Sequence, residues 1–391
     1  MSTKGKRTAN EPKNSRNNVN RNNTSNVNRE QYKYGAYERN LERQQYANKK
    51  KKKLNIFVKI LIVLLIIIIG IVIAGYLFIN SKLSMLQTES IDTTAVGIDS
   101  EVAESLKGYR NIALLGIDSR ADDYSPGNRS DCIIIASLNE ETNAVKLTSV
   151  YRDTYVYVEE NGSKKLDKIT HAYAYGGAQN TLKSLNEALD LNITEYVTVN
   201  FDAVIAAVDA LGGITLNIDS SELQYINSYI DATSSTSGVS SSHITRTGSQ
   251  TVDGVQAVAY SRIRYTSGGD YKRTERMRDV LTAMLTKAKT LSLGQLNSFA
   301  NTILPRISTN ITSGEIIGLI PSLASINVSD SQGWPYEVRG ITLNAWYGVP
   351  VTLESNVVEL HKELFGQEDY QVSDTVKEMS DAIINRTGYS E

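Results

Sequence analysis

Cysteine is nearly absent from this chain: 391 residues hold one, Cys132. No intrachain disulfide can form, and a large extracellular domain without disulfides fits a bacterial surface better than an animal secretion. Histidine is scarce too, with three residues, and no metal-ligand spacing such as HExxH occurs. Cys132 opens the apolar run CIIIASL with no histidine near it in sequence. It therefore reads as a small buried hydrophobe rather than a nucleophile. His171, before AYAYGG, is placed to border a site, whereas His243 and His361 read as structural or solvated. The 22 tyrosines read as strand and surface packing. An excess of charge of one sign is also missing, the net being −2.

That average conceals a division. Residues 1–53 carry fifteen Lys or Arg against four Glu, so this tail is near +11 and the remainder near −13. The tail is polar and Asn-rich, with few large apolar side chains to offset its chain entropy, and is expected to be disordered. It ends in KKKKK, Lys49 to Lys53, and an apolar run follows at once. From Ile60 to Ile79 no residue is charged, enough to cross ~30 Å of hydrocarbon as a helix. The expected span is 54–79. No small-residue cleavage site follows it, unlike a removed signal peptide. Basic flanks stay in the cytosol, so the acidic C-terminal part is expected outside the cell. Nucleic acid is disfavoured there, since no aromatic–basic module is apparent.

Beyond a stalk at 80–108, apolar strands alternate with helical patterns. RNIALLGID, DCIIIASL and AVKLTSVYRDTYVYV read as strands, as do EYVTVNF and ITLNI. Leu182, Leu185 and Leu189 mark an amphipathic helix, and DAVIAAVDALGG a helix closed by Gly212–Gly213. VDGVQAVAYSRIRY is expected to end in a strand and TERMRDVLTAMLTKAKTL to be a helix. The class is α/β, a central mixed sheet flanked by helices, spanning 109–366. Residues 220–250, rich in Ser and Thr, read as an irregular surface excursion, and 367–391 as a frayed tail.

The run YSRIRYTSGGDYKRTERMRD, residues 260–279, concentrates Arg262, Arg264, Arg273, Arg276 and Arg278. Like charges at 4 Å repel by about 1–4 kcal/mol per pair at effective dielectrics of 80 to 20, so the cluster implies an anion. Strand period would put Arg262 and Arg264 on one face, and helical spacing would put Arg273 and Arg276 on another. Guanidinium forks match phosphate oxygens bidentately. Three further pairs sit at strand ends: Asp118 with Arg120, Arg129 with Asp131, and Arg152 with Asp153. One such pair on a surface contributes only ~0–1 kcal/mol. Three beside an arginine run indicate a polyanion site, and carboxylates beside phosphate ligands are what Mg²⁺ uses.

In order, LLGIDSR, NRSDC, SVYRDTYV, HAYAYGGAQNTLKSLNEALDL, YVTVNFDAVIAAVDALGGI, VDGVQAVAYSRIRY and GDYKRTERMRDVL resemble the LytR–CpsA–Psr family over about Asn111 to Leu285. The resemblance implies an extracellular, membrane-anchored phosphotransferase of a walled, mostly Gram-positive bacterium. It would move a teichoic acid, capsular polysaccharide or other wall glycan from a polyprenyl-pyrophosphate carrier to peptidoglycan. The prenyl chain would lie between sheet and helices. By motif, Asp118 and Asp131 match metal-associated aspartates holding Mg²⁺. Arg120, Arg129, Arg152, Arg262, Arg264 and Arg273 match pyrophosphate ligands. Asp270 matches the base in the glycine turn and Arg276 a further basic position, so Asp270, Arg152 and Arg276 form the expected catalytic set. Tyr151, Cys132 and Met277 stand where the family usually has Pro, Thr and Gln. The alternatives are a hydrolase of the lipid pyrophosphate and a non-catalytic wall-polymer-binding or regulatory protein.

Overall fold

The computed structural model describes residues 24–119, 123–319 and 326–390. Helix α1 (Thr24–Leu83) comes first. Its stretch Ile62–Leu83 has mean hydropathy 3.2 and exposed apolar side chains from Ile62 to Phe78, long and apolar enough to cross a bilayer. Of the tail expected to be disordered, residues 24–53 are helical within α1. Glu, Gln, Arg, Lys and Ala, all good helix formers, recur there. Residues 1–23 lie outside the described residues.

The chain from Leu77 onward forms a second compact unit. In order it runs β1 (Gln87–Thr88), α2 (Ser100–Ser105), β2 (Tyr109–Ile117), β3 (Ser130–Asn139) and β4 (Ala144–Val150). The hairpin β5 (Tyr155–Glu160) and β6 (Ser163–Lys168) leads to α3 (His171–Leu189), β7 (Glu195–Asn200), α4 (Phe201–Ala210) and β8 (Ile214–Ile218). Then come α5 (Ser220–Ser237), β9 (Gly248–Val252), α6 (Gly254–Arg262), α7 (Gly269–Ala288) and α8 (Leu293–Ile303). The chain closes with β10 (Ser308–Thr309), α9 (Ser313–Leu319), β11 (Asn327–Trp334), β12 (Val338–Thr342), β13 (Trp346–Pro350), α10 (Leu353–Phe365) and α11 (Asp374–Thr387).

The main sheet has the order β1–β10–β7–β2–β3–β4–β11 among the described residues. β2 pairs antiparallel with β3 and parallel with β7, so the sheet is mixed as expected. Alternation along β2 divides its side chains between two layers. Ala113, Leu115 and Ile117 enter a core completed by Leu182, Leu185 and Leu189 of α3 and by α10 and α11. Leu114 and Gly116 face α4, α6, α7 and α8 on the opposite side.

Four expectations need correction. The segment ending in AVAYSR is helix α6, opened by a capping box between Asp253 and Gln256. It is buried from Gly254 to Ser261, and an all-round buried helix offers no apolar period to tell it from a strand. A Cβ on Gly254 would stand 2.3 Å from the Ile205 carbonyl oxygen, so glycine is what lets α6 cross α4 closely. The Ser/Thr-rich excursion contains α5, capped by Asp219 and Glu222, with Ile226 and Ile230 buried. The expected stalk contributes Val96, Val102 and Leu106 to the core, and the expected frayed tail contributes Val376, Met379 and Ile383. That last helix is fixed by Asp190, whose carboxylate accepts from Ser373 N–H (2.7 Å) and Oγ (2.6 Å).

Candidate active site

The strand ends carry the acidic groups to one edge of the sheet. Asp118 follows β2 and Asp131 is the second residue of β3. Asp118 N–H donates to the Arg129 carbonyl (3.2 Å), and Arg129 N–H donates to Asp118 Oδ1 (2.9 Å). Arg152 follows β4. β2 and β7 run parallel, so this is the carboxyl edge of both, where open α/β sheets place their ligands. The loop after α6 brings Arg264, and the first two turns of α7 bring Asp270 and Arg273.

These side chains form one charge network. Arg152 Nη1 is 2.8 Å from Asp131 Oδ1, and its Nε is 3.5 Å from Asp153 and 3.7 Å from Asp270. Burial works to lower the Arg152 pKa, but Asp131, Asp153 and Asp270 outweigh it and the net shift is upward. Asp270 also meets Arg264 at 3.5 Å and Arg273 at 3.1 Å. Arg273 is 2% exposed. Its burial pushes its pKa down, opposed chiefly by Asp270. Its Nη2 donates to the Asp131 carbonyl at 3.3 Å, and its Nε has no hydrogen-bond partner among the described residues. Burial also lowers the Arg262 pKa, and that guanidinium donates to Thr233 Oγ1 at 3.0 Å.

Asp118, Asp131, Arg262, Arg264 and Arg273 line one polar cavity of about 500 Å³. Behind it, an apolar cavity of about 250 Å³ lies between the sheet and α4, α6, α7 and α8. It is lined by residues such as Leu114, Ile134, Val199, Val258, Leu281 and Phe299. Asp131, Phe201 and Met277 border both cavities. The Cys132 thiol faces the apolar one, where burial pushes it up to about 12, as its apolar setting implied.

The site residues read from the sequence thus largely meet. Asp118, Asp131, Arg152, Arg262, Arg264, Asp270 and Arg273 converge. Arg129 has an exposed side chain and joins through its backbone. Arg120 lies outside the described residues. Arg276 is a correction: its Nε is 2.7 Å from Glu222 Oε1, Nη1 donates to the Ile263 carbonyl at 3.0 Å, and Nη2 to Thr266 Oγ1 at 2.7 Å. It is 1% exposed and fully engaged away from the polar cavity. The sequence reading missed the α5 wall of that cavity, where Tyr229, Thr233 and Thr236 recur at helical spacing. It also missed Lys168, whose ammonium is 2.6 Å from Asp153. His171 meets Asp167 at 3.0 Å and does not line the cavity, while His243 pairs with Asp231 and His361 is buried.

For a divalent cation, no group of three His, Cys, Asp or Glu side chains among the described residues is close enough to hold one alone. Asp118 and Asp131 share the arginine-lined cavity. Mg²⁺ keeps waters and takes one or two carboxylates plus phosphate oxygens. The donor set fits that mode and no all-protein cage.

A family model described as the LytR_cpsA_psr family matches residues 76–363. The polyisoprenyl-teichoic acid–peptidoglycan teichoic acid transferase TagT of Bacillus subtilis (strain 168) is 31% identical over 314 residues, covering 77% of this chain and 93% of the relative. The corresponding TagU of Enterococcus faecalis is 32% identical over 250 residues, 62% of this chain and 76% of the relative. A solved structure, TagT bound to LIIa-WTA, superposes with TM-score 0.52 at 26% identity, over 68% of this chain and 93% of that one.

Proposed function

Because this chain belongs to the LytR–CpsA–Psr family, we propose that it transfers a wall glycopolymer from a polyprenyl-pyrophosphate carrier to peptidoglycan. The observation that carries the reading is the joining of an arginine-lined polar cavity to an apolar one at Asp131, Phe201 and Met277. A lipid pyrophosphate is the ligand class that has both parts.

Arg262, Arg264 and Arg273 bind the two phosphates, and Arg152, held by Asp131, adds a fourth guanidinium at their edge. Asp270 takes the proton from an acceptor sugar hydroxyl. The new O–P bond forms at the phosphorus bearing the polymer, the P–O bond to the prenyl phosphate breaks, and that phosphate leaves with the bond's electron pair. Such a transfer needs positioning and charge stabilisation more than covalent help. Mg²⁺, held by Asp118 and Asp131, would supply additional neutralisation of phosphate charge. The apolar helix Ile62–Leu83 keeps the chain at the carrier's membrane, and the basic residues before it favour a cytosolic N-terminus and an extracellular site.

The test uses the full chain in detergent with a polyprenyl-pyrophosphoryl glycan, Mg²⁺ and a peptidoglycan oligomer, read by mass spectrometry. A glycan–phospho–peptidoglycan adduct that vanishes with EDTA and with Asp131→Ala is the expected result. Prenyl phosphate released without adduct would replace transfer by hydrolysis. Tight donor binding with no product would reduce the protein to a binder.

A further inference from the structure

The loop 263–268, which presents Arg264, has few attachments of its own. Its backbone bonds among the described residues are turn contacts only, Ile263 N–H to the Tyr260 carbonyl (3.3 Å), Gly269 N–H to the Thr266 carbonyl (3.2 Å), and Tyr271 and Lys272 N–H to the Gly268 carbonyl (3.1 and 3.3 Å) where α7 begins. Its other hydrogen bonds run to α5, directly or through Arg276. Tyr229 Oη accepts from Arg264 N–H at 3.2 Å. Glu222 holds Arg276, which in turn holds the Ile263 carbonyl and Thr266 Oγ1. Thr233 accepts from the Arg262 guanidinium, and the Tyr265 ring lies 5.9 Å from Tyr225 and 6.3 Å from Tyr229. Glu222, Tyr225, Tyr229 and Thr233 are spaced three, four and four apart, which is one face of a helix.

We propose that this face of α5 is a splint for the arginine loop, with Tyr229 and Arg276 as positioning residues that act through Arg264. The proposal rests on the donor reading above. An arginine presented by a loop loses binding strength when the loop's conformations multiply, because ordering them must then be repeated at each binding event. Arg276 acts without touching the donor, being buried away from the polar cavity; Tyr229 borders that cavity, and its hydroxyl oxygen accepts from the Arg264 backbone.

The experiment is equilibrium binding of geranylgeranyl pyrophosphate to the full chain in detergent micelles, with thermal unfolding followed in parallel. Arg264→Ala is the reference. Tyr229→Phe keeps the ring against Tyr265 and removes the acceptor, and should weaken binding roughly 5-fold, the value of one neutral hydrogen bond. Thr266→Val should weaken it by a similar factor, and Thr266→Ser, which restores the hydroxyl, should return it to the parent value. In the Arg264→Ala background both substitutions should add nothing, since coupled residues are not additive. Parent-like binding in Tyr229→Phe and Thr266→Val, or losses that add in full to that of Arg264→Ala, would overturn the splint. Failure of the parent to bind, or parent-like binding by Arg264→Ala, would overturn the donor reading itself and the splint with it.

Discussion

Arg273→Met separates activity from stability. Arg273 is buried to 2% exposure and its burial pushes its pKa down, which signals a cation held where the fold alone would not choose one. Against pyrophosphate it can make charge-assisted hydrogen bonds contributing about 1.5–3 kcal/mol each. Losing two of them is a fall of roughly 10² to 10⁴ in kcat/KM, at about 1.4 kcal/mol per factor of ten. The fold should respond differently. Asp270 keeps Arg264 at 3.5 Å and Arg152 at 3.7 Å, so no carboxylate is orphaned, and methionine refills the apolar volume of the stem. Replacing a whole buried ion pair by hydrophobes is often neutral or stabilising by about 1–4 kcal/mol, and the large cost of removing one partner comes from the charge left uncompensated, which Arg264 and Arg152 prevent here. Unfolding temperature should therefore stay level or rise, by about 2–4 °C per kcal/mol in a domain of a few hundred residues. Donor turnover by mass spectrometry and a thermal melt of the same preparation give both quantities. Turnover within about threefold of the parent, or a melt lowered as if about 3–5 kcal/mol had been lost with a broken buried pair, would refute the reasoning.

Three other outcomes follow from the surroundings of single residues. Glu222→Gln leaves Arg276 buried without its counter-charge and should destabilise the domain by about 3–5 kcal/mol in chemical denaturation, the opposite of Arg273→Met. The Cys132 thiol, pushed up to about 12 by burial, should resist maleimide at pH 8 in the folded protein and react on unfolding; fast labelling of the native chain would contradict that upward shift. His361 has its pKa lowered, first by burial, with Leu189 and Gln367 as its hydrogen-bond neighbours. It is neutral when folded and takes up a proton more readily when unfolded. Stability should thus be full above an unfolded pKa near ~6.5 and decline as pH falls below it, by at most about 1.4 kcal/mol per pH unit. Denaturant titrations at pH 5 to 8 should show this slope in the parent and lose it in His361→Gln.

What was legible in the chain follows from what carries a local signal. β2 and β3 announce themselves as short apolar runs bounded by charged turns, and the acidic and basic residues at their ends were therefore placed together in advance. Arg262 and Arg264 reached the same cavity by a different route from the one read: the first ends α6 and the second lies in the loop beyond. Ala, Val and Tyr in a helix buried on every side look like a strand, because periodicity vanishes when no face meets water. α5 was hidden by Ser and Thr, weak helix formers whose role there is to line a cavity and accept from Arg262. Arg276 stands three residues from Arg273, and spacing alone predicted a shared target. Its partner is Glu222, 54 residues away in sequence, and nothing local encodes that choice.

Met277 stands at the wall common to the two cavities, and on the donor reading this shapes the end of the catalytic cycle. The junction between them is a fixed boundary between a wet and a dry compartment, and the ligand is gauged by where its phosphate meets its hydrocarbon. On the donor reading the attached polymer lies beyond that gauge. After transfer, prenyl phosphate still satisfies the gauge, keeping its whole tail in the dry compartment and one phosphate among the arginines. On that reading the spent carrier competes with the next donor for the same two compartments.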